Sequence, residues 1–252
     1  MSTPALSERV LGQILPLGRM LAALRALPTY IGDINRYRRL DGAEQLTFAG
    51  LWPQLADRTI ETAFDPQYLH QAVWATTHVL ALSPANHIDV ASDVRFVTQL
   101  SAAVPVRFID IRPLALELPN LVCLAGNLTA LPLEDESVES ISCLHVIEHI
   151  GLGRYGDPLD PLGSRLACEE LARVLAPGGE LLLSCPVGRQ RIYFNAHRVH
   201  SPCQIIGYMA GLELVEFSFV DDVGNLHRDA DPSEAATADY GCGLYHFRRP
   251  RR

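Results

Sequence analysis

Four histidines stand where a proton could be moved. His145 and His149 close the β-branched, apolar run Ser140–Ile150, and His197 and His200 follow a second such run, Glu180–Cys185. An imidazole titrates near neutral pH, so each is a candidate general base. The spacings H-x-x-x-H and H-x-x-H could serve a metal only if the two pairs converge, and no metal is expected. Two aspartates suggest a second chemistry. Asp89 lies in the short apolar run His87–Ala91, and Asp110 closes Val106–Asp110, 21 positions later. In a nucleotide-binding βαβ unit, an acidic residue at the tip of the second strand bonds ribose hydroxyls.

These residues need a sheet to position them. Ser164–Leu175 has helical spacing, with Leu166, Leu171, Val174 and Leu175 on one stripe, and Pro177-Gly178-Gly179 is expected to stop that helix. Strand, loop, helix, glycine turn and strand form one crossover of a parallel sheet. Upstream, Asp65-Pro66 begins a helix to near Leu82. His87–Ala91 reads as the first strand, Val94–Ala103 as a helix, Val106–Asp110 as the second strand and Leu121–Leu124 as the third. Downstream, Ser201–Met209 reads as a helix, and Leu212–Val220 and Gly243–Phe247 as the last two strands, joined by the long loop Asp221–Cys242. Ala5–Leu27 has near-helical apolar spacing with a kink expected at Pro16. It is expected to cap the main domain or to form a homodimer contact. The expected organisation is a helical extension over residues 1–64 and an α/β domain over 65–252.

The stretches ALPLEDESVESISCLHVIEHI (residues 130–150) and ELARVLAPGGELLLSCP (residues 170–186) closely resemble the second half of class I S-adenosylmethionine-dependent methyltransferases. GLGRYGDPLDPLG and FNAHRVHSP also resemble an uncharacterised subgroup of methyltransferase-like proteins. The resemblance implies a Rossmann-like, seven-stranded, mostly parallel sheet with S-adenosylmethionine as cofactor. The activity it implies is methyl transfer, read here as O-methylation of a small molecule or glycan. The alternative is a catalytically inactive binding or scaffold protein of the same fold, in polysaccharide biosynthesis.

One segment departs from the family pattern. The first strand of such enzymes ends in D-x-G-x-G-x-G, whereas this chain has Asp89-Val90-Ala91-Ser92-Asp93-Val94-Arg95. Ala91, Asp93 and Arg95 fill the three glycine positions. By charge, Arg95 could pair with the cofactor's carboxylate and Asp93 with its ammonium. The resemblance thus implies cofactor contacts from Asp89, Ala91, Asp93, Arg95, Asp110, Asn127, Leu128 and His145. His145 and His197 are the expected catalytic bases, with Arg198 next as an acceptor-binding group. The loop Gly151–Gly163 could be a lid whose Tyr155 and Asp157 meet sugar hydroxyls.

Composition narrows the remaining classes. A net charge of −8, from 21 basic and 29 acidic residues, argues against a general nucleic-acid binder. The basic tail Arg248–Arg252 reads as a solvated terminus. The six cysteines form no C-x-x-C pair, which fits a reduced, cytoplasmic protein. No apolar run is long enough to span a bilayer, and no signal peptide is evident.

Overall fold

A computed structural model describes residues 17–251. The chain divides into two compact units between Phe64 and Asp65. In the first, helix α1 spans Leu17–Tyr37 and runs through Pro28. It therefore continues ten residues beyond the expected end at Leu27. Apolar residues recur at Leu27, Ile31 and Ile34, so the helical pattern outlasts the one backbone donor that proline removes. The expected helix before residue 17, with its kink at Pro16, lies outside the described residues. After α1 the described chain forms only a short 3-10 turn, Phe48–Gly50, capped by the Thr47 side chain.

The second unit is an eight-stranded sheet between two layers of helices. Helix α2 (Pro66–Leu82) starts as the sequence requires: Asp65 accepts from the backbone N–H groups of Gln67 and Tyr68, and Pro66 takes the first position. Then follow β1 (His87–Val90), α3 (Val94–Leu100), β2 (Val106–Asp110), β3 (Leu121–Ala125) and β4 (Val138–Leu144). Next come α4 (Gly163–Val174), β5 (Leu175–Val187) and the small hairpin β6 (Arg191–Tyr193) with β7 (His197–Val199). The chain ends in α5 (Pro202–Tyr208), β8 (Glu213–Val220), β9 (Leu226–His227), α6 (Pro232–Ala235) and β10 (Gly241–Arg248).

The strand order is β3-β2-β1-β4-β5-β10-β8-β9. β1 to β5 are parallel, and β10 runs antiparallel between β5 and β8. The sheet has eight strands where seven are expected. The extra one is β9, two residues of the long 221–242 connection that pair His227 with Phe219 at the edge. That connection also folds α6, closed by reciprocal capping between Asp231 and Glu234.

Alternation along the strands separates two cores. Leu181, Leu183, Tyr245 and Phe247 pack with Leu171 and Val174 of α4 on one face. Leu182 and Leu244 pack with Trp74 and Val79 of α2 and Phe96 of α3 on the other. The Pro177-Gly178-Gly179 turn does not separate helix from strand. β5 begins at Leu175, opposite Val138, and the turn makes an irregularity before Glu180 pairs with Ser140. Gly178 supplies the positive φ, +80°, that this irregularity needs. The basic tail is more ordered than a solvated terminus. β10 carries Arg248 beside Glu180, with Nε to Oε1 at 2.8 Å, and the Arg249 N–H donates to Gly179 O. No helix among the described residues is long and apolar enough to cross a membrane.

Candidate active site

The strand order reverses at β1, which has β2 on one side and β4 on the other. Open α/β sheets bind ligands outside the carboxyl ends of strands at such a point. A crevice of about 650 Å³, partly open to solvent, lies there. Its walls come from the ends of β1, β2 and β4 and from the loop after β4.

The β1 end shows how the chain manages without its glycines. Ala91 lines the crevice in the left-handed region, with φ +58°, and its N–H donates to Ile109 O at 2.9 Å. The first glycine position thus keeps its turn, at a cost of about 1–2 kcal/mol for an alanine. The other two positions need no glycine. Asp93 is the N-cap of α3 with φ −56°, and Arg95 lies inside the helix. Their side chains pair with each other, Arg95 Nη2 to Asp93 Oδ2 at 2.7 Å, and neither lines the crevice.

Asp89 is fully buried beneath this loop and does not line the crevice. Its carboxylate accepts from Ser92 N at 3.0 Å, from Ser92 Oγ at 2.7 Å and from Ser142 Oγ. Ser92 Oγ in turn accepts from Leu144 N at 2.9 Å, which ties the loop to β4. Burial pushes the Asp89 carboxyl up to about 6, against the pull of its serine donors. The chain continues to His87, with Nε2 2.9 Å from Ser142 Oγ and Nδ1 2.8 Å from Ser140 Oγ. Because Ser142 spends its proton on Asp89, Nε2 of His87 must donate and Nδ1 must accept. Burial lowers the His87 pKa to about 4.

At the β2 end, Asp110 lines the crevice, and its Oδ1 accepts from Arg112 N at 2.6 Å. After β3, Gly126, Asn127 and Leu128 complete that wall. A Cβ on Gly126 would stand 2.5 Å from Ile109 Cγ2, so only glycine lets the chain pass there. Asn127 uses its side-chain carbonyl on Thr129 N and Oγ1, both at 3.0 Å, a turn that leaves its amide group for a ligand.

At the β4 end, His145 is the second crevice residue with a left-handed backbone, φ +56°. Its ring stacks on Tyr68 of α2 with centroids 5.0 Å apart, and Nδ1 lies 3.0 Å from Glu148 Oε1. Nε2 is buried without a partner of hydrogen-bond geometry, although the Cys242 sulfur is close enough to influence its charge. Burial opposes protonation of this ring. Cys242 and Glu148 outweigh that cost and hold its pKa well above the ordinary value. Burial likewise works to raise the Glu148 carboxyl, and the bond and charge of His145 prevail and lower it.

His149 and His197 come from different elements, and His149 lines the crevice whereas His197 does not. His149 bonds Ala196 O through Nδ1 at 2.7 Å, which shapes the loop. His197, on β7, packs beside Tyr193 and Tyr240 with centroids 5.2 and 5.0 Å away. Burial lowers its pKa, against the partial counter-pull of Glu148. His200 is elsewhere, facing a surface groove with Gln204 and Tyr208. Arg198 is spent on structure: it donates to Ile150 O at 2.6 Å and Asp160 O at 3.1 Å. The Gly151–Gly163 loop is held in place by Asp157, which accepts from the N–H groups of Gly151, Gly153 and Tyr155. Asp157 therefore organises the loop, and Tyr155, flanked by Arg112 and Arg154, forms part of the crevice wall.

Sequence reasoning missed Tyr68, Arg112, Tyr240 and Cys242. Tyr68, Tyr240 and Cys242 come from elements remote in the chain, Arg112 follows Asp110 by two residues, and no local motif marks any of them.

This is the class I methyltransferase fold, as solved structures show. N-methyltransferase NodS from Bradyrhizobium japonicum WM9, in complex with S-adenosyl-L-homocysteine, is 16% identical, covering 87% of this chain and 98% of its own, with a TM-score of 0.52. The [4+2]-cyclase SpnF is 13% identical, covering 73% of this chain and 81% of its own, also with a TM-score of 0.52. Residues 133–228 match the family model DUF268, described as Caenorhabditis protein of unknown function. No curated protein matches the chain by sequence.

Proposed function

We propose that the chain is a cytoplasmic S-adenosylmethionine-dependent methyltransferase acting on a hydroxyl of a small molecule or glycan. One observation carries the reading: the crevice at the sheet's switch point has Asp110 at the tip of β2 and a left-handed Ala91 at the end of β1. The lining fits the cofactor. Asp110 would hold the ribose hydroxyls, with Asn127 and Leu128 against the adenine and Ala91 and His145 beside the methionine end. The bound cofactor supplies an activated methyl group on a sulfonium.

The protein's own residues then divide the proton work. The Cys242 sulfur and the Glu148 carboxylate, which favour the charged ring against its burial, suit His145 to donate a hydrogen bond to a ligand. His197, with a lowered pKa, is uncharged at neutral pH and fits the role of base. Tyr155, in the crevice wall, offers a flat apolar face with a polar tip to an acceptor. All six cysteines are free, which supports a reducing compartment.

A second reading is a binding protein that has lost turnover. The Ala91 methyl in a glycine position and the mutual pairing of Asp93 and Arg95 favour it. Calorimetric titration with S-adenosylmethionine and S-adenosylhomocysteine separates the two. Micromolar binding is expected, weakened about 10- to 100-fold in Asp110→Ala, the loss of a hydrogen bond to a charged group. No heat and no thermal shift at millimolar ligand would refute the enzyme reading and favour the second.

A further inference from the structure

Three metal-ligating side chains, His78, Glu216 and His246, converge on the α2 face of the sheet, at the end of β5 away from the crevice, and a fourth, Glu180, lies against one of them. The register sets His246 of β10 directly opposite Glu216 of β8. Glu180 of β5 reaches the same place from the other side, with Oε2 against His246 Nε2. His78 of α2 descends on this group, and the ligand atoms of His78, Glu216 and His246 all lie within 4.8 Å of one another.

The hydrogen bonds around the cluster are informative. His78 Nδ1 is 2.9 Å from Trp74 O, a group that can only accept, so Nδ1 carries the proton. In the neutral ring Nε2 is then a bare lone pair, and it points at Glu216 Oε2 from 2.9 Å. A proton satisfies that approach when the ring is an imidazolium, and a metal ion can take the proton's place. His246 Nε2 meets the Glu180 carboxylate. The groups behind are arranged to hold such ligands. Trp74 Nε1 and Ser218 Oγ both donate to Glu216 Oε1 at 2.9 Å, and Arg248 Nε donates to Glu180 Oε1 at 2.8 Å. Each carboxylate thus has one oxygen fixed by donors and the other turned to the histidines, the outer arrangement that orients metal ligands.

We propose that His78, Glu216, His246 and Glu180 form a binding site for a divalent transition metal of the zinc class. Imidazole and carboxylate donors in this number suit tetrahedral zinc. Bonds of about 2.0–2.1 Å place such ligand atoms about 3.3 Å apart, so those of His78, Glu216 and His246, within 4.8 Å of one another, would have to adjust around the ion. His78 and Glu216 are each 20% exposed at the side chain, which leaves the ion a way in. The metal would tie α2 to β5, β8 and β10. Ten residues earlier on that helix, about 15 Å away, Tyr68 stacks on His145, so the site braces a helix that builds the crevice. The inference does not depend on the methyltransferase reading.

The test uses the full chain, stripped with a chelator and titrated with Zn²⁺ and with Co²⁺. One equivalent of Zn²⁺ is expected, with a rise in melting temperature, and Co²⁺ should show the intense visible bands of tetrahedral coordination. His78→Gln, a change at a partly exposed position, should weaken Zn²⁺ binding about 100-fold or more while circular dichroism stays native. Trp74→Phe removes only an outer donor and should weaken it about 10- to 100-fold. A folded wild-type chain that takes up no Zn²⁺ would overturn the proposal. So would undiminished binding in folded His78→Gln, which would locate the metal elsewhere.

Discussion

Asp89 and His87 sit two residues apart on β1, share Ser142 as a bridge, and are pushed by burial in opposite directions along the pH scale. The informative change is Asp89→Asn, which keeps the shape and removes the charge. The rise of Asp89 from an ordinary 3.8 to about 6 is worth about 3 kcal/mol. With the folded pKa raised, that stabilisation is fully present below pH 3.8 and is lost as pH rises through about 6. His87 falls from an ordinary 6.5 to about 4, again worth about 3 kcal/mol. Its stabilisation is present above 6.5 and is lost as pH falls through about 4. The two slopes nearly cancel in the native protein. Without Asp89 the His87 slope is exposed, so Asp89→Asn should gain about 3 kcal/mol on going from pH 4 to pH 6.5. Urea unfolding followed by circular dichroism at a series of pH values measures this. The difference between the native and variant curves removes the titrating groups distant from this network. A difference that stays flat over this range would refute the reasoning: it would mean that the serine donors, not burial, set the charge of Asp89.

Two further outcomes test the crevice. Ala91→Gly should relieve the left-handed strain, and after the entropy cost of glycine it should stabilise the fold by about 0.5–1 kcal/mol; that is a rise of roughly 2 °C in the midpoint of thermal unfolding. Cofactor affinity should rise with it. His197→Gln should lower turnover by about 10²- to 10⁴-fold while cofactor binding is kept, and the native rate should show an acid limb below the ordinary imidazole range because the His197 pKa is lowered.

The sheet was readable because its signals are local. Asp65-Pro66 announces α2, apolar runs mark β1 to β4, and Gly163–Val174 repeats at helical spacing. The edge strand β9 escaped notice because two residues carry no period, and His227 joins the sheet only through its pairing with Phe219. The crevice was half visible. Asp110, Asn127, Leu128, Ala91 and His145 do line one space. Asp93 and Arg95 could not be placed, because the charges that suggested ligand contacts satisfy each other first, at the start of a helix. The metal-ligand cluster was invisible for a different reason. Its residues are spread from position 78 to 246, on four elements, with no two closer than 30 positions in the chain.

Backbone strain gives an argument about the crevice that side-chain chemistry alone does not. The non-glycine residues at positive φ are Ser83, Ala91, Glu136, His145 and Asp229, among the described residues. Ser83 is the C-cap of α2, a place where left-handed backbone is common. Asp229 has a short polar side chain, Glu136 lies in the turn before β4, and Ala91 and His145 have neither a helix end nor a short polar side chain to explain them. They follow β1 and β4, the adjacent strands at the switch point, and both line the crevice. Each costs about 1–2 kcal/mol, and paired strain of this kind persists where the surroundings hold it. Here the Asp89–Ser92 bonds hold one side, and the Ser184 backbone and hydroxyl, both accepting from His145 N, hold the other. The same fold carries an N-methyltransferase in NodS and a cyclase in SpnF, so the fold does not decide the reaction. What the two strained turns support is narrower: the ends of β1 and β4 are held in a fixed shape where they line the crevice at the switch point.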